Sequence, residues 1–236
     1  VRGGDARISD QAIDEVTRQV LLPLWNAYSF FVLYANASRH KAKLRTDSDN
    51  VLDRYILAKT GELVDEATAC LDAYELAGGS VAIQGFLDAL NNWYIRRSRD
   101  RFWGTETETA DTEAAIDTLY TVLHALSRVI APYLPMISEE IWTGLTPNGA
   151  DSTSVHLQEW PASAELGIDT NLVSAMDRLR QAASAALSLR EDRGLRVRLP
   201  LASATVAGEG ASSIAPFVDL LADEINVKEI LFSDDV

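Results

Sequence analysis

Apolar side chains recur at three- and four-residue spacing through most of the chain, the pattern of helices that each bury one face. Ile13, Val16, Val20, Leu21 and Leu24 open the first such run behind a Ser9 or Asp10 cap, and Trp25, Tyr28, Phe31, Val32 and Ala35 extend it. Pro23 removes one backbone donor inside this run and is expected to kink it. The polar stretch Thr46-Asp47-Ser48-Asp49 breaks the pattern, and a second helix is predicted from about Asn50 to Leu76, burying Leu52, Ile56, Leu63, Ala67 and Leu71. Gly78-Gly79 is expected to end it, with Ser80 capping a third helix that runs to about Trp103. Gly104 through Asp111 reads as an acidic loop. A fourth helix then starts near Thr112 and carries Ile116, Leu119, Leu123, Leu126 and Ile130. Pro132 and Pro135 close that helix and open a short fifth one, Met136 to Leu145.

The texture changes after Pro147-Asn148-Gly149. Ser154 to Trp160 alternates like a short strand or extended segment that Pro161 stops. A helix capped by Thr170 or Asn171 and ending at Gly194 follows, with Leu172, Met176, Leu179, Ala183 and Leu187 on one face. Arg196 to Val206 reads as a strand, Gly208-Glu209-Gly210 as a loop, Ile214 to Ile225 as a helix and Val227 to Phe232 as a last strand. The predicted fold is therefore mainly α. An antiparallel helical bundle spans residues 1–161, and a small α+β C-terminal appendage spans residues 162–236.

Composition narrows the function classes. The chain has 236 residues, 21 basic against 35 acidic side chains and a net charge of −14, so a basic body that grips nucleic acid wholesale is excluded. The charge is uneven, however. Residues 1–103 hold 13 basic and 14 acidic groups, whereas residues 104–170 hold only Arg128 against 11 acidic groups. Two local basic clusters lie in the first part: Arg39, His40, Lys41, Lys43 and Arg45, and Arg96, Arg97, Arg99 and Arg101. Such clusters are either solvated surface or local contacts for phosphate. No apolar run is expected to approach the roughly 20 residues that span a bilayer. A single cysteine, Cys70, excludes an internal disulfide and suits a reducing compartment. His40, His124 and His156 give no zinc-site spacing, and no metal is expected.

Catalytic motifs are missing from the sequence: it has no P-loop, no H-E-x-x-H and no G-x-S-x-G. Glu139 and Glu140, adjacent on a helix, point about 100° apart and suit capping or solvation better than paired acid–base chemistry. The informative segment is Asn91 to Trp103, where four arginines are interleaved with four aromatic side chains. Phe86, Leu90, Trp93 and Tyr94 fall on one face and are expected in the core, with Arg97 and Arg101 on that side near the helix end. Asn92, Arg96, Arg99 and Trp103 form a second stripe at i, i+4, i+7 and i+11. That stripe offers an amide for base edges, guanidinium forks for phosphates and an indole for stacking.

LLPLWNAYSFFVLYANA from Leu21, DRYILAKTGELV from Asp53, NNWYIRRSRDRFW from Asn91, APYLPMISEEIW from Ala131 and SVHLQEWP from Ser154 occur in one order. Together they resemble the anticodon-binding region of class I isoleucyl-tRNA synthetases, and LREDRGLRVRLPL with DLLADEINVKEILF resembles the junction that follows it. The resemblance implies a tRNA-recognition module of an enzyme that ligates isoleucine to its tRNA with ATP and Mg2+. The HIGH-like and KMSKS-like motifs and the editing domain of that family do not occur here, so the chain alone is expected to be inactive and to bind no cofactor. Implied partners are isoleucine-accepting tRNA and the upstream catalytic and editing domains. The setting implied is a cytoplasmic monomer with no membrane contact. The residues expected to touch tRNA are Arg96 and Arg99 first, then Arg97 and Arg101, Asn92 and Trp103, and Lys41, Lys43 and Arg45 on the stem backbone. Trp25, Tyr28, Trp93, Trp142 and Trp160 are expected to pack, and the acidic middle third to face away from RNA. The valyl branch of the family and a helical protein–protein interaction bundle remain alternatives.

Overall fold

A computed structural model describes residues 9–38, 40–103, 109–146, 153–208 and 210–233. Arg39, Pro147-Asn148-Gly149, Glu209 and most of the acidic loop after Trp103 lie outside the described residues. The chain divides into two compact units, Val1–Ile168 and Asp169–Val236.

The first unit is a helical bundle. Its helices are α1 (Asp10–Ala37), α2 (Val51–Asp72), α3 (residues 76–102), α4 (Ala110–Ile130) and α5 (Pro135–Leu145). Ser9 caps α1 by accepting from the Ala12 amide, and Asn50 and Thr109 cap α2 and α4 in the same way. The core is built from Tyr55, Ile56, Leu57, Phe86, Leu90, Tyr94, Leu119, Leu123 and Trp142, as the helical spacing requires. His124 is buried on α4, its ring 4.6 Å from that of Trp142. Trp25 and Trp160, expected to pack, are instead 39% and 37% exposed; the Trp160 indole donates to Thr68 Oγ1 at 2.9 Å.

Two π-helical turns interrupt the bundle, at Thr17–Leu21 in α1 and Ala89–Ile95 in α3. The first lies just upstream of Pro23, where the Leu22 amide reaches back five residues to the Thr17 carbonyl. A proline cannot donate to the carbonyl four residues before it, and the wider turn absorbs that mismatch. By length and composition alone α1 is long and apolar enough to cross a membrane, contrary to the expectation from its apolar runs. Here Leu24, Ala27 and Phe31 bury against the bundle, and Phe30 meets Phe102 edge-on at 4.9 Å.

The second helix ends without help from Gly78-Gly79. Tyr74 takes the left-handed conformation at φ 57°, and the Glu75 amide bonds to the Cys70 carbonyl while the Tyr74 amide bonds to Leu71. This is a Schellman stop with a tyrosine in the place usually given to glycine. Both glycines sit inside α3, and Gly79 has its own reason there: a Cβ would run into the Tyr133 hydroxyl. Ser154 to Trp160 is not a strand. Val155–Leu157 forms a 3-10 turn, and Glu139 Oε2 accepts from both Ser154 Oγ and the Val155 amide at 2.9 Å. With its backbone satisfied by a side chain of α5, the segment needs no neighbouring strand.

In the second unit α6 (Thr170–Asp192) ends at Gly194 as expected, in a Schellman stop at φ 65°. Strands β1 (Leu201–Ala207) and β2 (Val227–Ser233) pair in parallel, Leu201 opposite Val227, across the crossover helix α7 (Val218–Ile225). The predicted strand from Arg196 starts five residues late because Arg190, only 4% exposed, gathers the preceding turn: its Nη2 donates to the carbonyls of Arg196 and Leu199, both at 2.6 Å. Ala211–Phe217 is a 3-10 turn rather than the start of a helix, since Pro216 denies it an α-helical donor.

One interaction holds the bundle end together. Asp53, fully buried in the first turn of α2, accepts from Ser48 Oγ at 2.6 Å, Tyr94 Oη at 2.9 Å and both Arg101 Nη atoms at 2.7 and 2.8 Å. Burial, and then the Asp53 carboxylate, push the Tyr94 hydroxyl well above the ordinary tyrosine range. Above about pH 10 the unfolded chain therefore gives up a proton that folded Tyr94 keeps. Stability is expected to fall as pH rises from there. Tyr94→Phe should make that fall shallower in urea titrations, with Tyr28 and Tyr133, also raised by burial, keeping part of it.

Candidate nucleic-acid interface

The arginine-rich end of α3 splits into two sides. Inward, Arg101 forks onto Asp53 and also pairs with Asp111 at 2.8 Å; burial alone would ease loss of its proton, but the hydrogen bonds to Asp53 and then Asp111 outweigh it and shift proton release up. Arg97 is half-buried, its guanidinium carbon 5.3 Å from the Trp93 ring centroid, a cation–π distance. Outward, Asn92, Arg96, Arg99 and Trp103 are all exposed, Trp103 by 51%. Arg96 Nε donates to the Asn92 carbonyl at 2.8 Å, and the Asn92 amide to Asp88 Oδ1 at 2.6 Å. The Trp103 indole donates to the Tyr34 hydroxyl, which ties the exposed ring to the end of α1. The stripe rises roughly 16 Å along the helix from Trp103 to Asn92.

Lys41, Lys43 and Arg45 lie on the segment between α1 and α2, which is laid along α4 without regular structure. Asp117, itself 1% exposed, accepts from the Lys43 amide at 2.9 Å and from His40 Nε2 at 2.7 Å, and Thr121 Oγ1 accepts from the Arg45 amide at 2.8 Å. The Lys41 and Lys43 side chains are exposed, while Arg45 Nε pairs with Asp47 at 2.8 Å. The Tyr34–Trp103, Arg101–Asp111 and His40–Asp117 contacts bring the end of α1, the end of α3 and the start of α4 to one end of the bundle. Lys41, Lys43, Arg99 and Trp103 therefore share an end, and Asn92 sits further along α3.

The acidic middle third does not all face away from that end. Asp111, Glu113 and Asp117 lie on it, because these carboxylates are the anchors of Arg101 and His40. Two residues beside the arginine-rich helix, Asp53 at this end and Asn26 near Asn92, were not singled out from the sequence. Asp53 carries a signal only as an acid in the first turn of a helix, and Asn26 as an amide within the apolar run of residues 20–35. Among the described residues, no group of three His, Cys, Asp or Glu side chains is placed to hold a metal ion.

Residues 53–206 match the family described as the anticodon-binding domain of tRNA ligase. Over 98% of its length the chain is 54% identical to an isoleucine–tRNA ligase of Leifsonia xyli, and over 99% it is 49% identical to that of Mycobacterium tuberculosis. It is 42% identical over 98% of its length to an isoleucine–tRNA ligase of Tropheryma whipplei. The chain spans about a fifth of the length of these relatives, 20% of the first and 21% of the other two. With an α-helical bundle that presents a basic, aromatic stripe at one end, the chain belongs to the anticodon-binding domain family of tRNA ligases.

Proposed function

We propose that this chain is the tRNA-recognising segment of an isoleucine–tRNA ligase, and that the exposed stripe of α3 meets the anticodon stem and loop. The observation that carries the reading is the division of labour within one helix. Arg101 and Arg97 face the bundle, where they have a carboxylate and an aromatic ring as partners, while Arg96, Arg99, Asn92 and Trp103 face solvent. Guanidinium groups suit phosphate oxygens, and an exposed indole suits an unstacked base, the usual targets in single-stranded RNA loops. Lys41 and Lys43 at the same end extend the cationic track, and Arg45 borders it. Arg101 then acts as a positioning residue that sets the direction of the helix end.

Identity of 42–54% to isoleucine–tRNA ligases over nearly the whole chain supports isoleucine-accepting tRNA as the partner rather than the valine-accepting one. The aminoacylation reaction, with its ATP and Mg2+, belongs in this reading to the remaining four-fifths of such a ligase, and the protein works in the cytoplasm as a monomer. The test is binding of isoleucine-accepting tRNA to the chain across a salt series. Binding at low salt that weakens log-linearly as salt rises supports the reading, with preference over valine-accepting tRNA. A folded chain that binds neither tRNA at low salt overturns it.

A further inference from the structure

The segment that joins α1 to α2 has no ladder of its own. Among the described residues, the backbone of residues 40–49 makes no hydrogen bond to another backbone group. Its amides go to side chains instead: His40 to Ser38 Oγ at 3.0 Å, Lys43 to Asp117 Oδ1 at 2.9 Å and Arg45 to Thr121 Oγ1 at 2.8 Å. Asp117 and Thr121 lie one turn apart on α4, and the Thr121 hydroxyl donates to the Asp117 carbonyl at 2.7 Å. A segment without a ladder keeps one conformation only while such acceptors offset the entropy of fixing it. Asp117 stands out among them. Its side chain is 1% exposed, and its Oδ1 accepts both from the Lys43 amide and from His40 Nε2 at 2.7 Å. Its Oδ2 has no partner among the described residues. A carboxylate is costly to bury, and both hydrogen bonds that offset the cost here go to this one segment.

What the segment carries is cationic. Lys41 and Lys43 are exposed, and neither ammonium has a partner among the described residues. Resting on the RNA-binding reading above, we infer that Asp117 is a positioning residue: it clamps residues 40–43 onto α4, so that Lys41 and Lys43 are already ordered when the phosphate backbone of RNA arrives. Ordering before binding lowers the entropy lost on binding. Charge alone has the opposite consequence. Asp117 places a negative charge beside a cationic segment, so if it acted only through that charge, removing it would tighten the binding of a polyanion. As a clamp, its removal weakens that binding.

The sign of the effect is the test. Isoleucine-accepting tRNA is titrated at one low salt concentration with the unsubstituted chain, Asp117→Ala, Asp117→Asn, Thr121→Val and the pair Lys41→Gln/Lys43→Gln, the pair alone and combined with Asp117→Ala. Tryptophan fluorescence checks that each variant is folded. Asp117→Ala should bind about tenfold more weakly. Asp117→Asn should stay within about twofold, because its amide oxygen can stand where Oδ1 accepts both bonds. Thr121→Val keeps the side-chain volume but loses the acceptor of the Arg45 amide, so it should weaken binding in the same direction. It carries the test if Asp117→Ala does not fold. Without the two lysines, Asp117→Ala should cost no more than about twofold further, since the groups it acts through are gone. The inference is overturned if folded Asp117→Ala binds as tightly as the unsubstituted chain or more tightly, if Asp117→Asn loses as much as alanine, or if the loss persists in full without the lysines. Full affinity in Thr121→Val, where alanine at 117 does not fold, overturns it as well. In each of these cases the unsubstituted chain still binds tRNA, and the RNA-binding reading stands. A folded unsubstituted chain that binds no tRNA at low salt takes both down together.

Discussion

Replacing Asp53 by alanine is expected to destabilise the helical unit by about 3–5 kcal/mol, the cost of leaving a buried charge without its partner. The Asp53 carboxylate has zero exposure and accepts four hydrogen bonds, two of them from the Arg101 guanidinium, whose side chain is itself only 12% exposed. Without it, Arg101 keeps only Asp111, which is 53% exposed, and the Tyr94 and Ser48 hydroxyls lose their acceptor. Asp53→Asn keeps the volume but turns an amide donor toward a guanidinium, so it should lose nearly as much. All five tryptophans lie in the first unit, so their fluorescence follows the unfolding of that unit by itself. The midpoint should drop by roughly 6–20 °C. Pairing Asp53→Ala with Arg101→Met should recover part of the loss, because removing both charges abolishes the uncompensated one. A loss under about 1 kcal/mol in the single variant would mean that the ion pair merely balances its own desolvation and does not hold the helix end.

The same pair shows what the sequence conveys and what it withholds. Helix faces were legible because burial repeats with the helical period: Leu52, Ile56, Leu63, Phe86, Leu90, Trp93 and Tyr94 are all buried where the spacing puts them. Stops were less legible, since a stop depends on backbone conformation as well as residue type. Gly194 ends α6, but Tyr74 ends α2 in the same hydrogen-bond pattern, and Gly79 is kept instead for the close approach of Tyr133. Strand signals failed where a side chain satisfied the backbone in place of a ladder, Glu139 at Val155 and Arg190 at Arg196 and Leu199. At the interface, the helical period put Arg97 and Arg101 on the core side and Arg96 and Arg99 on the other, but it did not give the carboxylate that Arg101 meets. That partner is tertiary: Asp53 lies 48 residues from Arg101 along the chain. Nor could periodicity place Asn92 beside Asn26, because the π turns at Thr17–Leu21 and Ala89–Ile95, which bring them to one cleft between α1 and α3, change the helical register.

Replacing Arg96 and Arg99 together by glutamine should weaken tRNA binding on the order of 100-fold at moderate salt while moving stability by no more than about 0.5 kcal/mol per site. Both side chains are exposed, glutamine matches arginine in helix propensity, and Arg96 bonds within its own helix to the Asn92 carbonyl. If each guanidinium neutralises one phosphate, the slope of log affinity against log salt should become shallower by about 2. The net charge of −14 gives this slope its weight: the chain as a whole repels RNA, so attraction must be concentrated in a few cations, and removing two of them takes away a large share. Arg101→Met gives the opposite signature, a loss of stability first and of binding only as the end of α3 is released from Asp53. The two arginine sides of one helix are thus separable by two measurements, a melting curve and a salt titration. A double variant that melts far below the unsubstituted chain would place Arg96 and Arg99 among the residues that hold the bundle, and one that binds tRNA with an unaltered salt slope would remove them from the interface.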